Sequence, residues 1–197
     1  MTAPNPAPWP APLNDPDALP PDTRNLIDHY KYWEVEAIKA DLDMQRHQFV
    51  VLCENIAYDF NIATVIRNAN AFLASRVIVC GRKSWDRRGA VGTHHYQHVS
   101  YQPDGREAVT QLQSEGYQIV AVDQAPQAQN LHTFQWPEKS VMIMGQEQIG
   151  VSPWLIEAAD SCVYIPQWGS TRSLNVGVAS GLAMNSWAMQ HANPPRS

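Results

Sequence analysis

The chain reads as an α/β domain: a mostly parallel sheet with helices on both faces. Three observations lead there. From Phe49 onward, short apolar runs alternate with helical patterns. The runs are continuously apolar rather than alternating in and out, as strands covered on both faces are. Hydrophobic residues make up 44% of the chain, enough to fill a real core, and no apolar run approaches the roughly 20 residues that span a bilayer.

The elements follow in order. Residues 1–22 hold eight prolines and few large apolar side chains, the composition of an extended tail without a core. Residues 23–46 form a helical extension. Thr23 is a candidate cap for a helix running to about Met44, and Leu26, Tyr30, Trp33 and Ala37 would line one apolar stripe that docks on the domain or on a partner subunit. Residues 47–197 form the domain. Strands are predicted at Phe49–Cys53, Val77–Cys80, near Tyr96–Val99, at Tyr117–Val122, Val141–Met144 and Cys162–Ile165. Helices are predicted at Ile62–Leu73, Arg106–Ser114, Pro153–Ala159 (with Pro at its favoured first position) and Ser173–Gln190, capped by Ser173. In that last helix Gly177 and Gly181 leave a bare stripe for close approach of another backbone.

Charge and cysteines narrow the function classes. The net charge of −5 at first argues against a nucleic-acid partner, yet residues 1–45 carry all of it, with eight acidic and three basic side chains. The remainder is neutral and holds a local cationic patch, Arg76, Arg82, Lys83, Arg87 and Arg88, opposed by Asp86 alone. Cys53, Cys80 and Cys162 are isolated within apolar runs, the pattern of buried thiols in a reducing cytosol rather than of a disulfide framework or metal site. The N-terminus lacks the basic and apolar regions of a signal peptide.

In parallel sheets ligands bind beyond the carboxyl ends of the strands. Three polar constellations fall there. The first, Glu54–Ala69, places Asn61 at a helix start and Arg67 among Val65, Ile66, Ala69 and Phe72. A guanidinium on so apolar a helix wants a carboxylate or a phosphate. The second is Met144-Gly145-Gln146-Glu147-Gln148-Ile149-Gly150, with glycines that turn tightly and a carboxylate between them. The third is Ser173-Leu174-Asn175. The G-x-G-x-x-G fingerprint of dinucleotide sites is absent, which disfavours a nicotinamide-dependent oxidoreductase. No His/Cys/Asp cluster has metal-ligand spacing.

In this order, Asn61 with Arg67, Gly145 with Glu147 and Gly150, and Ser173-Leu174-Asn175 resemble the motifs of the SpoU-type (SPOUT class) RNA ribose 2′-O-methyltransferases, from about Phe49 to Trp187. The resemblance implies a C-terminal trefoil knot, S-adenosylmethionine as methyl donor, an RNA substrate and a homodimer whose site is completed across its interface. It implies that Arg67 binds RNA phosphate and helps activate the ribose hydroxyl. Asn61, Glu147, Ser173 and Asn175 would orient the reacting groups, while Met144, Gly145, Ile165, Ser173 and Leu174 line the cofactor pocket. Two positions depart from the family pattern: Ala63 replaces a usual Gly, and Arg172 stands where many relatives have Glu. Arg82, Lys83, Arg87 and Arg88 are candidate RNA contacts, with His94 and His95 beside them. Trp85, Trp136 and Trp168 are candidates for stacking on bases or for the core, Trp168 also for a lid near the cofactor. The expected enzyme is cytoplasmic and metal-independent. With only the tail and one helix ahead of the motifs, tRNA is the expected substrate over rRNA. A protein that keeps the fold and binds RNA without catalysis is the alternative.

Overall fold

The computed structural model describes residues 21–81 and 84–193, so all but the end of the Pro-rich tail lies outside the described residues. The strands are β1 (His47–Glu54), β2 (Ala74–Cys80), β3 (Val99–Gln102), β4 (Gln118–Val122), β5 (Gln129–Asn130), β6 (Ser140–Met144) and β7 (Ser161–Tyr164). The helices are α1 (Val35–Asp43), α2 (Asp59–Ala71), α3 (Gly105–Ser114), α4 (Pro153–Ala158) and α5 (Val176–His191). The seven strands form one sheet in the order β3-β2-β1-β6-β4-β7-β5, and every pairing is parallel.

Each central strand sends successive side chains to opposite faces. Phe49, Val51 and Cys53 of β1, with Met142 and Met144 of β6, meet Ile62, Val65 and Ile66 of α2 and Met184 and Trp187 of α5. Val50, Leu52, Val141 and Ile143 meet Val109 and Leu112 of α3 and Leu155 of α4. Both faces are therefore dry, which explains why the runs carry no polar alternation. The three cysteines are buried and unbonded to one another. Burial raises the Cys80 thiol to about 12, with the charges of Glu54 and Asp104 adding to it. Burial also holds Cys53 and Cys162 protonated.

Register sets the site. Cys53 lies opposite Met144, Met144 opposite Val122, and Val122 opposite Val163. The loops after β1, β6, β4 and β7 thus leave the same sheet edge side by side.

The N-terminal extension departs from expectation. The single helix predicted from Thr23 is a 3-10 turn at Asp28–Tyr30 followed by α1. Tyr32 breaks the helix with a left-handed φ of 65°. Asp22 holds that turn, its carboxylate accepting from the Tyr32 amide (2.8 Å) and from Arg24 (2.6 Å). Leu26, Tyr30 and Trp33 still pack as the stripe required, with Ile38, Leu42 and Tyr96. Arg46 ties this layer to the sheet: its side chain, 7% exposed, donates to Asp43, Gln97 and the carbonyls of Ala74 and Tyr96. Among the described residues no helix is long and apolar enough to cross a membrane.

Two outcomes follow from this packing. A Cβ on Gly89 would stand 2.8 Å from the Ala63 methyl and 3.2 Å from the Phe60 ring. Gly89→Ala should therefore cost about 1–3 kcal/mol in denaturant unfolding, and Ala63→Gly in the same chain should recover most of it. Acid should loosen the N-terminal layer. The Arg24 guanidinium, with backbone donors, depresses the Asp22 carboxyl well below its ordinary value against the effect of burial. Its contribution is then complete above the unfolded carboxylate value of about 4 and is lost as pH falls toward the folded one. Hydrogen exchange at the Tyr32 amide should gain rate, beyond its intrinsic change, below about pH 4. In Asp22→Asn it should already be fast at neutral pH.

Candidate active site

The sheet-edge loops enclose a cavity of about 330 Å³. Its apolar wall comes from Val122, Met144, Ile165, Leu174 and Val176, and its polar groups from Asp123, Gln124, Gln167, Arg172 and Ser173. The Gly145–Gly150 turn forms one side and is closed on itself: the amide of Gln146 donates to the Gly150 carbonyl (3.0 Å) and the amide of Gly150 returns a bond to Gln146 (2.9 Å). Gly150 has φ +75°, and the Asp123 carboxylate fills the space a side chain would need. Asp123 also accepts from the Val151 amide at 2.7 Å, and the buried Glu54 accepts from the next amide, Ser152, at 2.8 Å. Two strand-end carboxylates thus hold the turn from behind.

Glu147 leaves this turn toward the α2 N-terminus. It accepts from the Ala57 amide (3.0 Å) and the Tyr58 amide (3.4 Å), and from Asn61 Nδ2 (2.7 Å). The Asn61 carbonyl oxygen in turn accepts from Asn175 Nδ2 (3.0 Å). Asn175 caps α5, its Oδ1 accepting from the Gly177 and Val178 amides at 2.8 and 3.3 Å. This corrects the expected cap at Ser173: Ser173 and Leu174 precede the helix and line the cavity. The bare stripe has its partner as well. Gly177 faces Thr64, whose methyl would sit 2.7 Å from an added Cβ, and Asn68 donates to the Gly177 carbonyl (2.7 Å) and to Ser180 Oγ (3.0 Å).

The candidate residues therefore separate. Met144, Gly145, Glu147, Ile165, Ser173 and Leu174 line the cavity; Asn61 and Asn175 join it only through their bonds. Arg67 is exposed and does not line it. It sits six residues beyond Asn61 on α2, about 9 Å of helical rise, and has no carboxylate partner among the described residues. Arg82 and Lys83 lie outside the described residues. Arg87 is exposed, and Arg88 is bound to Asp86 at 2.7 Å, which lowers that carboxyl's pKa. Burial, then the nearby His95 and Arg87, lowers the His94 pKa and favours its neutral form near pH 7. Trp136 is core; Trp168 is 86% exposed and outside the cavity wall, unlike the lid expected of it. Asp123, Gln124 and Glu54 had no assigned part in the sequence reading. The strand-end rule reaches Asp123 and Gln124 only once β4 is known to lie beside β6.

Residues 48–185 match the family model described as the SpoU rRNA methylase family. A mouse protein named tRNA (guanosine(18)-2′-O)-methyltransferase is 27% identical over 190 residues, 83% of this chain, which spans only 12% of that protein's length. The solved structure of the Aquifex aeolicus TrmH/SpoU tRNA modifying enzyme gives a TM-score of 0.72 at 23% identity, covering 79% of this chain and 81% of that one. The SpoU methyltransferase AviRb from Streptomyces viridochromogenes, in complex with AdoMet, gives 0.67 at 23% identity, over 76% and 60%. The α/β class predicted from the sequence is the fold they share.

Because Asn61 spends both ends of its amide on Glu147 and Asn175, these side chains should act as one unit. Glu147→Ala and Asn61→Ala should each destabilise by about 1–3 kcal/mol in denaturant titrations. The double variant should fall short of the sum by about 0.5–2 kcal/mol.

Proposed function

The chain belongs to the SpoU rRNA methylase family, and on that premise we propose that it transfers the methyl group of S-adenosylmethionine to a ribose 2′-hydroxyl of RNA, with tRNA as substrate, in the cytoplasm. The observation that carries this reading is the cavity wall. Met144, Gly145, Ile165, Ser173 and Leu174, the residues the motifs assign to the cofactor, border one space at the strand ends. Its composition fits an adenosine-bearing ligand: apolar surface for a flat ring, and polar side chains and loop backbone for its edges. Bound there, S-adenosylmethionine supplies a methyl group made electrophilic by its sulfonium. The knot of this family is assigned to the C-terminal part of the chain.

The residues would divide the work as follows. Leu174 and Ile165 hold the apolar part of the cofactor, and Ser173 offers a hydroxyl at the cavity rim to orient the reacting groups. Glu147, Asn61 and Asn175 are positioning residues that fix the turn and the two helix starts. Arg67 binds RNA phosphate and stabilises charge as the ribose hydroxyl loses its proton. A guanidinium stays protonated at neutral pH, so Arg67 is not the base in its ordinary state. Since it stands apart from the cavity of its own chain, it would serve a second copy. Val178, Leu182 and Met189 form an exposed apolar face on α5, the helix packed beside α2, for such a homodimer.

Incubation with labelled S-adenosylmethionine and unmodified tRNA should yield a 2′-O-methylated nucleoside by mass spectrometry. RNA binding without that product would leave the non-catalytic alternative. Arg67→Ala should lower turnover by about 100-fold or more with cofactor affinity unchanged by calorimetry. Leu182→Asp should halve the mass in light scattering and abolish transfer. Equimolar mixing of Arg67→Ala with a Leu174→Arg cavity variant should restore part of the activity, because a mixed dimer holds one intact site.

A further inference from the structure

Next in the chain to Gln167 of the cavity wall stands Trp168, part of an aromatic pair that the methyl-transfer reading does not use. Trp168 is 86% exposed, the most open of the large hydrophobic side chains described. The His132 ring lies beside its indole, with centroids 6.4 Å apart and planes inclined by 29°. The fold fixes the backbone that carries His132. The Leu131 amide donates to the Tyr164 carbonyl (2.9 Å), continuing the β5–β7 pairing, and the His132 amide donates to Asn130 Oδ1 (2.9 Å). The neighbours of Trp168 along the chain are Gln167, which lines the cavity, and Gly169, where an added Cβ would meet nothing within 4 Å. Arg172, exposed and also lining the cavity, has no carboxylate partner among the described residues.

We propose that Trp168, beside His132, is a stacking platform for an unpaired nucleobase of the RNA, with Arg172 meeting a phosphate of the same strand. The proposal rests on the RNA-methylating reading of the cavity. Its chemistry points to a nucleotide rather than to a protein surface. An apolar docking patch would gather several large hydrophobic side chains, whereas Trp168 is followed by Gly169, Ser170, Thr171 and Arg172, all exposed. Neither Gln124–Pro137 nor Ser161–Ser197 contains an Asp or Glu, so the segments that carry the two rings and Arg172 bring no carboxylate of their own against a phosphodiester. Aromatic stacking accepts any base, and an indole this open offers its π face to one. Arg172 gives the platform a charge suited to RNA.

The test measures affinity for labelled dodecauridylate and for unmodified tRNA by fluorescence anisotropy, with S-adenosylmethionine affinity by calorimetry and molecular mass by light scattering on the same proteins. Trp168→Ala should weaken RNA binding about 5- to 150-fold. Trp168→Phe should keep most of the affinity, and Trp168→Leu, similar in apolar character but without a π face, should lose it. Arg172→Gln should lower the salt dependence of RNA binding by about one counterion. Cofactor affinity and mass should be unchanged in the Trp168 variants. RNA affinity in Trp168→Ala equal to wild type, or Leu serving as well as Phe, overturns the platform. So does a fall in mass in Trp168→Ala, which would assign the ring to the contact between two copies. These results leave the methyl-transfer reading standing. That reading fails separately, if the wild-type protein binds no S-adenosylmethionine and methylates no RNA.

Discussion

Glu147 stands where the turn after β6 meets the start of α2, and its two oxygens accept from two backbone amides and from Asn61. The amides at a helix start have no partner within the helix, so a carboxylate there satisfies donors and complements the positive end of the helix dipole. Asn61 passes the constraint on to Asn175, whose oxygen caps α5. One chain of hydrogen bonds thus fixes two helix starts and the turn beside the cavity. A shift at any link would move the cavity wall, because Ser173 and Leu174 lie immediately ahead of Asn175 and have no regular structure to hold them.

Behind this chain of bonds lies the parallel sheet. Strands buried on both faces leave their polar backbone only at the ends, and the register brings four ends to one level. Glu54 and Asp123 use that position: each extends from a strand end and takes an amide of the Val151–Ser152 segment. Ala63 is fully buried, and its methyl is accommodated because the residue facing it is Gly89.

Much of this was legible in the sequence. The apolar runs at Phe49–Cys53 and Val141–Met144 could belong only to doubly covered strands, and Gly177 and Gly181 announced a close helix contact. The motif loops were legible because three polar constellations, each unspecific alone, follow strands in one order. Other features left no local trace. β5 is two residues long and exists through its pairing with β7. The break at Tyr32 depends on the carboxylate of Asp22, ten residues earlier. The 3–4 spacing of Leu26, Tyr30 and Trp33 correctly marked burial while misreporting conformation, because a 3-10 turn followed by a helix satisfies nearly the same periodicity. Asp123 could not be singled out without strand order, and the cap moved from Ser173 to Asn175 because the asparagine amide reaches two α5 donors.

The three cysteines carry a consequence for handling the molecule. Each is sealed within the interior, and two rest directly against the strands that frame the cavity. A thiol kept neutral and shielded does not react with alkylating reagents while its surroundings stay shut. The native chain therefore contains its own clocks for breathing of the central layer, and the rate at which iodoacetamide marks Cys53 counts how often the middle of the sheet comes apart.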